Sequence, residues 1–220
     1  MPSSSEAPAR AGFVVAWDTI VAPNAAFASL AVRPTWVWAF AIVAVLGTLG
    51  AFLQAPAGEH VVAASFAKTA ATDPTMASLS ADQRAKFLAS ASAVQHYAWI
   101  AAPLLALLGI ALAALVMLIA NASGEGRANY ARCFALAANV ALVHYAIAPL
   151  FVGFLVLRVG AGAFTSARDL LGAINPFSVW SFALVGFGLR RVSGIGIGIA
   201  FGAAAAIAFG SYLLAAAAAR

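Results

Sequence analysis

His144 lies deep inside a long apolar run, residues 133–157, and it is the ionisable side chain most removed from any polar flank. Burying an ionisable group in hydrocarbon is expensive, which makes such a residue a functional candidate by default. A neutral imidazole costs less than a carboxylate or an ammonium, and one hydrogen bond from another helix can satisfy it. Asn139, Ser178, Ser181, Ser211 and Tyr212 are the polar side chains in apolar runs that could supply that bond, so with His144 they make up a candidate intramembrane polar site. Two roles are open to it: a structural hydrogen bond, or a relay for protons or substrate. Pro149 follows soon after. It removes one helical hydrogen bond, frees the carbonyl of Tyr145 four residues earlier, and predicts a kink beside the histidine. Pro103 predicts the same disturbance in an earlier apolar run.

Other chemistries have less to stand on. Ser123 and His144 together suggest an intramembrane serine protease, but ~21 residues of continuous helix separate them by ~30 Å. His60, His96 and His144 are too scattered for a metal motif. The lone Cys133 excludes an intrachain disulfide and a cysteine-based zinc cluster. It reads as a small buried hydrophobe, with a lipidated or reactive thiol as the alternative. Gly194, Gly196 and Gly198 do not form a dinucleotide loop, because no strand, turn and helix surround them. No catalytic residue, metal or cofactor is expected. Gly194, Gly198, Gly202 and Gly210 instead repeat at multiples of four, the small-residue stripe that lets helix backbones approach closely in lipid. They predict packing of the last helix, within the chain or between copies of it, and Gly198→Leu should disturb that packing.

The elements that carry these residues are membrane helices. Of 220 residues, 64% are hydrophobic and 9% are charged, against ~45–50% and ~25% in soluble domains. A soluble surface needs far more charge than this. Runs of ~20 apolar residues cross the ~30 Å of hydrocarbon as helix, and about five fit: 36–55, 97–120, 133–157, 170–191 and 195–219. The fourth is short from Pro176 onward unless 170–174 supplies a broken first half. Residues 1–35 form an N-terminal cytoplasmic or interfacial segment, with Pro23 in the first turn of a short helix. A plain linker is the alternative for that stretch. Residues 56–96 form an external loop in which Ser80 and Gln83 have the spacing of a capping box. Phe87, Leu88, Ala91 and Val94 then give one apolar face, an amphipathic helix on the bilayer surface or against the bundle. The expected fold is an all-α integral membrane bundle.

The formal net charge of +5 does not mark a nucleic-acid surface. The basic residues sit at the edges of apolar runs and not in a patch with interleaved aromatics, a placement that suits lipid headgroups and topology. Arg33, Arg127, Arg132, Arg190 and Arg191 flank the runs on one side, against Arg158 and Arg220 on the other. The positive-inside rule therefore puts the N-terminus in the cytoplasm and the C-terminus outside. The start of the chain is polar and lacks the basic-then-apolar form of a signal peptide, and the run before Ala55, Pro56 and Ala57 reads as a retained span.

Three segments, taken in order, resemble the Yip family of multi-spanning membrane proteins. The first is Trp17, Asp18, Pro23, Asn24 and Phe27, followed by Arg33, Pro34 and Trp36. The second is the turn Gly124, Glu125, Gly126, then Tyr130 and Phe134. The third is Asn175, Pro176, Phe177 and Trp180, then Gly186, Gly188 and Arg190. The resemblance implies five spans, a cytoplasmic N-terminus, and a non-enzymatic role in organising membranes or binding partners, possible homo-oligomers included. Eukaryotic members are linked to Rab GTPases, but the region before the first span is short here, so Rab binding is not carried over. Ten arginines against two lysines suggest a bacterial, inner-membrane member. A small permease or channel, built on the broken fourth span and His144, is the alternative function.

Overall fold

Side-chain caps and prolines decide where the helices begin. Asn175 Oδ1 accepts from the Ser178 N–H at 2.8 Å, with Pro176 at the first helical position. Asn129 caps the helix that starts at Tyr130 through the Arg132 N–H at 3.1 Å. Ser80 and Gln83 form the reciprocal capping box, at 3.2 and 2.9 Å. Each cap satisfies N–H groups that a helix start otherwise leaves unpaired.

The computed structural model describes residues 11–166 and 175–218; the first half proposed for the fourth span, 170–174, lies outside them, as do Arg168 and Arg220. The helices are α1 (Gly12–Val21), α2 (Pro23–Val32), α3 (Val37–Thr72), the short α4 (Pro74–Ala77) and α5 (Ala81–Ser123). Then come α6 (Tyr130–Ala141), a π-helical turn (Leu142–Ile147), α7 (Ala148–Val159) and a 3-10 turn (Ala161–Ala163). α8 (Pro176–Ser193) and α9 (Ile197–Ala218) finish the chain. Among the described residues every regular element is helical.

Among the described residues, three helical rods are long and apolar enough to cross a membrane: α3, α5, and Tyr130–Val159, which joins α6 to α7. α8 and α9 pack with them. Consecutive rods reverse direction, so Thr35–Trp36, the turn at 124–129 and the link at 193–196 share one end, here the near end. The core between the rods includes Ile110, Met117, Leu136, Leu142, Leu184 and Leu189.

Two features depart from the sequence expectation. The first-loop amphipathic helix is present, but it is the opening half of α5 and runs without a break into the second span. α3 likewise continues through Pro56. At 36 and 43 residues these helices are about 54 and 65 Å long, well beyond the ~30 Å of hydrocarbon. They pair as a hairpin that projects from the far end. Phe52 meets Trp99 edge-on at 5.8 Å, Phe66 meets Phe87 at 5.2 Å, and His96 Nδ1 lies 2.7 Å from Glu59 Oε1. These contacts hold the helix together across the hydrogen bond that Pro56 cannot make. At the N-terminus the short helix expected from Pro23 is present as α2; the second departure is that α1 precedes it and that Val15, Ala16, Ala26, Phe27 and Leu30 are buried in the core.

The glycine stripe needs a correction. A Cβ built at Gly194, Gly198, Gly202 or Gly210 meets nothing within 4 Å, so these glycines do not bring α9 against another helix of the chain. The buried residues of α9 are Ala200, Ala203 and Ala204. Two residues of helix turn the face by about 200°, so Gly198 and Gly202 point away from that contact. Gly194 has another task, ending α8 in the left-handed conformation at φ 77°. Close approach occurs instead at Gly47 and Gly50 of α3. A Cβ at Gly47 would strike the Tyr145 carbonyl oxygen, and one at Gly50 would stand 2.6 Å from Pro149 C and Leu150 N.

Gly47→Leu should therefore destabilise the bundle by about 1–3 kcal/mol, the usual cost of overpacking. Gly198→Leu should leave stability unchanged. Thermal unfolding of both variants in the same detergent checks this; a Gly198→Leu loss equal to that of Gly47→Leu would refute it.

Candidate functional site

His144 lies in the π-helical turn, partly buried, with its ring edge-on to Tyr145 at 4.9 Å. It has no hydrogen-bond partner among the described residues. Asn139 is fully buried, and its Nδ2 donates to the carbonyls of Thr35 at 2.8 Å and Ala135 at 2.7 Å. Ser178 Oγ bonds back to Asn175 Oδ1 at 3.2 Å, and Ser211 Oγ to the Ile207 carbonyl at 2.9 Å. Ser181 Oγ is buried without a partner, and Tyr212 is exposed. None of these side chains is hydrogen-bonded to His144.

A π-turn often marks a functional position or a helix under strain. Here it precedes Pro149, and α3 packs against it. Gly47 lies on the Tyr145 carbonyl that Pro149 frees. Gln54 Nε2 donates to the Pro149 carbonyl at 2.8 Å and to the Gly50 carbonyl at 3.2 Å. The Tyr145 hydroxyl packs against Gly109 of α5. The break is filled by protein. Two shallow depressions elsewhere are walled almost wholly by apolar side chains, one by Val45, Leu49, Phe52 and Trp99, the other by Pro23, Phe27, Trp180 and Phe187. No group of three or more metal-ligating side chains occurs among the described residues.

The near end is built differently. Asn121, at the end of α5, makes a paired bond with Ala128: Nδ2 donates to its carbonyl at 2.8 Å, and Oδ1 accepts from its N–H at 3.1 Å. That pair closes the turn through Gly124 and Gly126. Arg127 N–H then donates to the Ser193 carbonyl at 2.9 Å, which ties the turn to the end of α8. Ile195 Cγ2 occupies the space that a Cβ at Gly126 would need, 2.6 Å away. Trp36 stands edge-on to Phe134 at 5.3 Å, and Asn139 fastens Thr35 to α6.

Arg33, Arg127, Arg190 and Arg191 are exposed around this end, and Arg132 Nη1 donates to the Arg127 carbonyl at 3.3 Å. Asp18, on α1, is buried at 8% exposure. Sequence reasoning named Asp18 only as part of the family resemblance and gave Asn121 no role. The signal for Asn121 was present, a polar residue at the close of an apolar run just before a glycine turn. For Asp18 no pattern sets a buried acid apart from an exposed one on so short a helix.

A rod-like, all-helical chain with this little charge is an integral membrane protein. The Yip1 domain family model matches residues 17–218, nearly the whole chain, and the chain belongs to that family. No curated protein and no solved structure matches it.

Asn139→Ala removes a buried donor that two carbonyls use, so it should cost about 1–2 kcal/mol. His144→Leu should cost less than about 0.6 kcal/mol, the mean for hydrogen bonds between membrane helices. Detergent melting curves of the two variants give the order; a larger loss for His144→Leu would reverse the assignment.

Proposed function

We propose that the chain is a non-enzymatic membrane protein of the Yip type that organises membrane or binds partners through its near end. One observation carries this reading. Parts of the three segments that resemble the family meet at that end, Arg33 to Trp36, the turn at 124–134 and the close of α8 near Arg190, joined by the Arg127–Ser193 and Trp36–Phe134 contacts, with five arginines around them. Exposed guanidinium groups suit acidic protein surfaces and anionic headgroups. The same arginines support a cytoplasmic near end, and therefore a cytoplasmic N-terminus and an outer C-terminus, in a bacterial inner membrane. Gly198 and Gly202 leave an outward face of α9 on which a second copy can pack.

The permease alternative rests on the π-turn and Pro149 beside His144. Gln54, Gly47 and Tyr145 fill that break, which favours a structural kink over a conducting one. Purified protein in liposomes loaded with a pH-sensitive dye separates the two. Wild type and His144→Gln should show the same slow proton leak as empty liposomes. Proton movement in wild type that His144→Gln abolishes, with the fold intact, would establish the permease instead.

A further inference from the structure

The depth of α1 and α2 follows from their neighbours. Gly12, at the start of α1, lies by the near-end residues Thr35 and Trp38: its Cβ position is 3.1 Å from Trp38 Cδ1 and 3.6 Å from Thr35 Cβ. Phe13 meets the Trp38 ring edge-on at 6.2 Å. α2 then runs alongside α8 in the same direction. Pro23, Asn24 and Phe27 share a depression with Trp180, Ala183, Leu184 and Phe187, and the Phe27 ring lies 3.1 Å from the Cβ position of Gly188. The turn between α1 and α2 therefore stands level with residues 180–183, 10 to 13 residues before α8 ends at Ser193. That is about 15–20 Å of helix, roughly half the hydrocarbon thickness.

The outer surface agrees with this depth. Phe13, Val14, Trp17 and Val21 of α1 are exposed, an apolar face suited to lipid and costly in water. The pair enters beside Trp36 and leaves at Arg33, on one side of the membrane. Away from its ends each helix satisfies its own backbone groups, as hydrocarbon requires. Ala22, between the helices, donates its N–H to the Asp18 carbonyl at 2.7 Å, and Pro23 starts α2 without an N–H to satisfy.

We propose that α1 and α2 form a re-entrant hairpin confined to the leaflet at the near end, and that the chain is thereby a wedge that favours membrane convex on that side. Among the described residues, seven helices share the cross-section near the near end, and five remain beyond the hairpin turn. Two helices about 10 Å across add on the order of 150 Å² to one leaflet only. The inference goes beyond the partner-binding reading and can fail without it, because it concerns lipid geometry and no protein ligand.

Two measurements on the full chain in a Cys133→Ser background test it. Single cysteines at Phe13, Val21 and Val32 use exposed positions, so the core is untouched, and Glu125→Cys reports the near side. An impermeant thiol reagent should reach residues 13 and 32 from the side that reaches 125, and residue 21 from neither. A fluorophore at 21 should be quenched by lipids brominated deep in the acyl chain. Reaction of 21 from the far side would mean a crossing, and reaction as fast as 13 a surface segment; either overturns the hairpin. For the wedge, protein labelled at 125 is placed in giant vesicles and thin tubes are pulled from them. Molecules with the near end outward should be enriched several-fold in the tubes, and those with it inward depleted. Equal partitioning of both orientations overturns the wedge.

Discussion

Between Gly47 and Gly50 the backbone of α3 lies directly on the backbone of the third rod, where that rod leaves regular α-helical bonding. A proline in lipid frees a carbonyl that water cannot reach, and the cost stands unless protein meets it. The π-turn spreads the disturbance over Leu142–Ile147, and α3 brings glycine and an amide to it. Gln54 bonds to the Pro149 carbonyl, which a larger residue at 47 or 50 would hold out of reach. Much else depends on that contact. It fixes how α3 crosses the third rod, and so where the paired α5 lies and which side of Tyr145 faces Gly109.

The near end depends on a second kind of bond, from side-chain amides to backbone. Asn139 and Asn121 each satisfy carbonyls that lie between helices, where no helical partner exists. An asparagine has donor and acceptor on one planar group, so it can close a turn in both directions, as Asn121 does with Ala128. A histidine offers one of each, set apart on a ring, and His144 is turned against Tyr145 instead.

Where the sequence was legible, the rule was local. Ser80 announced a helix start because a cap involves residues three apart. Pro149 announced a free carbonyl because the helix repeat names its owner. Where it was not legible, the answer lay on another helix. The four-residue glycine spacing on α9 shows that a close approach is allowed, but not which face meets a neighbour. The pair that makes the contact, Gly47 and Gly50, is spaced by three and lies on an unremarked span. Pro56 looked like a terminator because the pairing that holds α3 together comes from α5, beyond Asp73. The burial of the N-terminal pair was not legible for the same reason: each helix is too short to cross, and the contact of Phe27 at Gly188 comes from another helix.

The hairpin of α3 and α5 also has a mechanical meaning. Neither helix is interrupted between its crossing part and its projecting part, so the two behave as one double strut about 24 Å longer than the hydrocarbon. A strut without a hinge converts sideways load at its tip into tilt at its root. The His60 imidazole Nδ1, bonded to the Phe164 carbonyl at 3.0 Å, braces that strut where it leaves the bundle. Whatever pushes on Asp73 or Ser80 is therefore felt at Gly50 and, through it, across the whole thickness of the membrane.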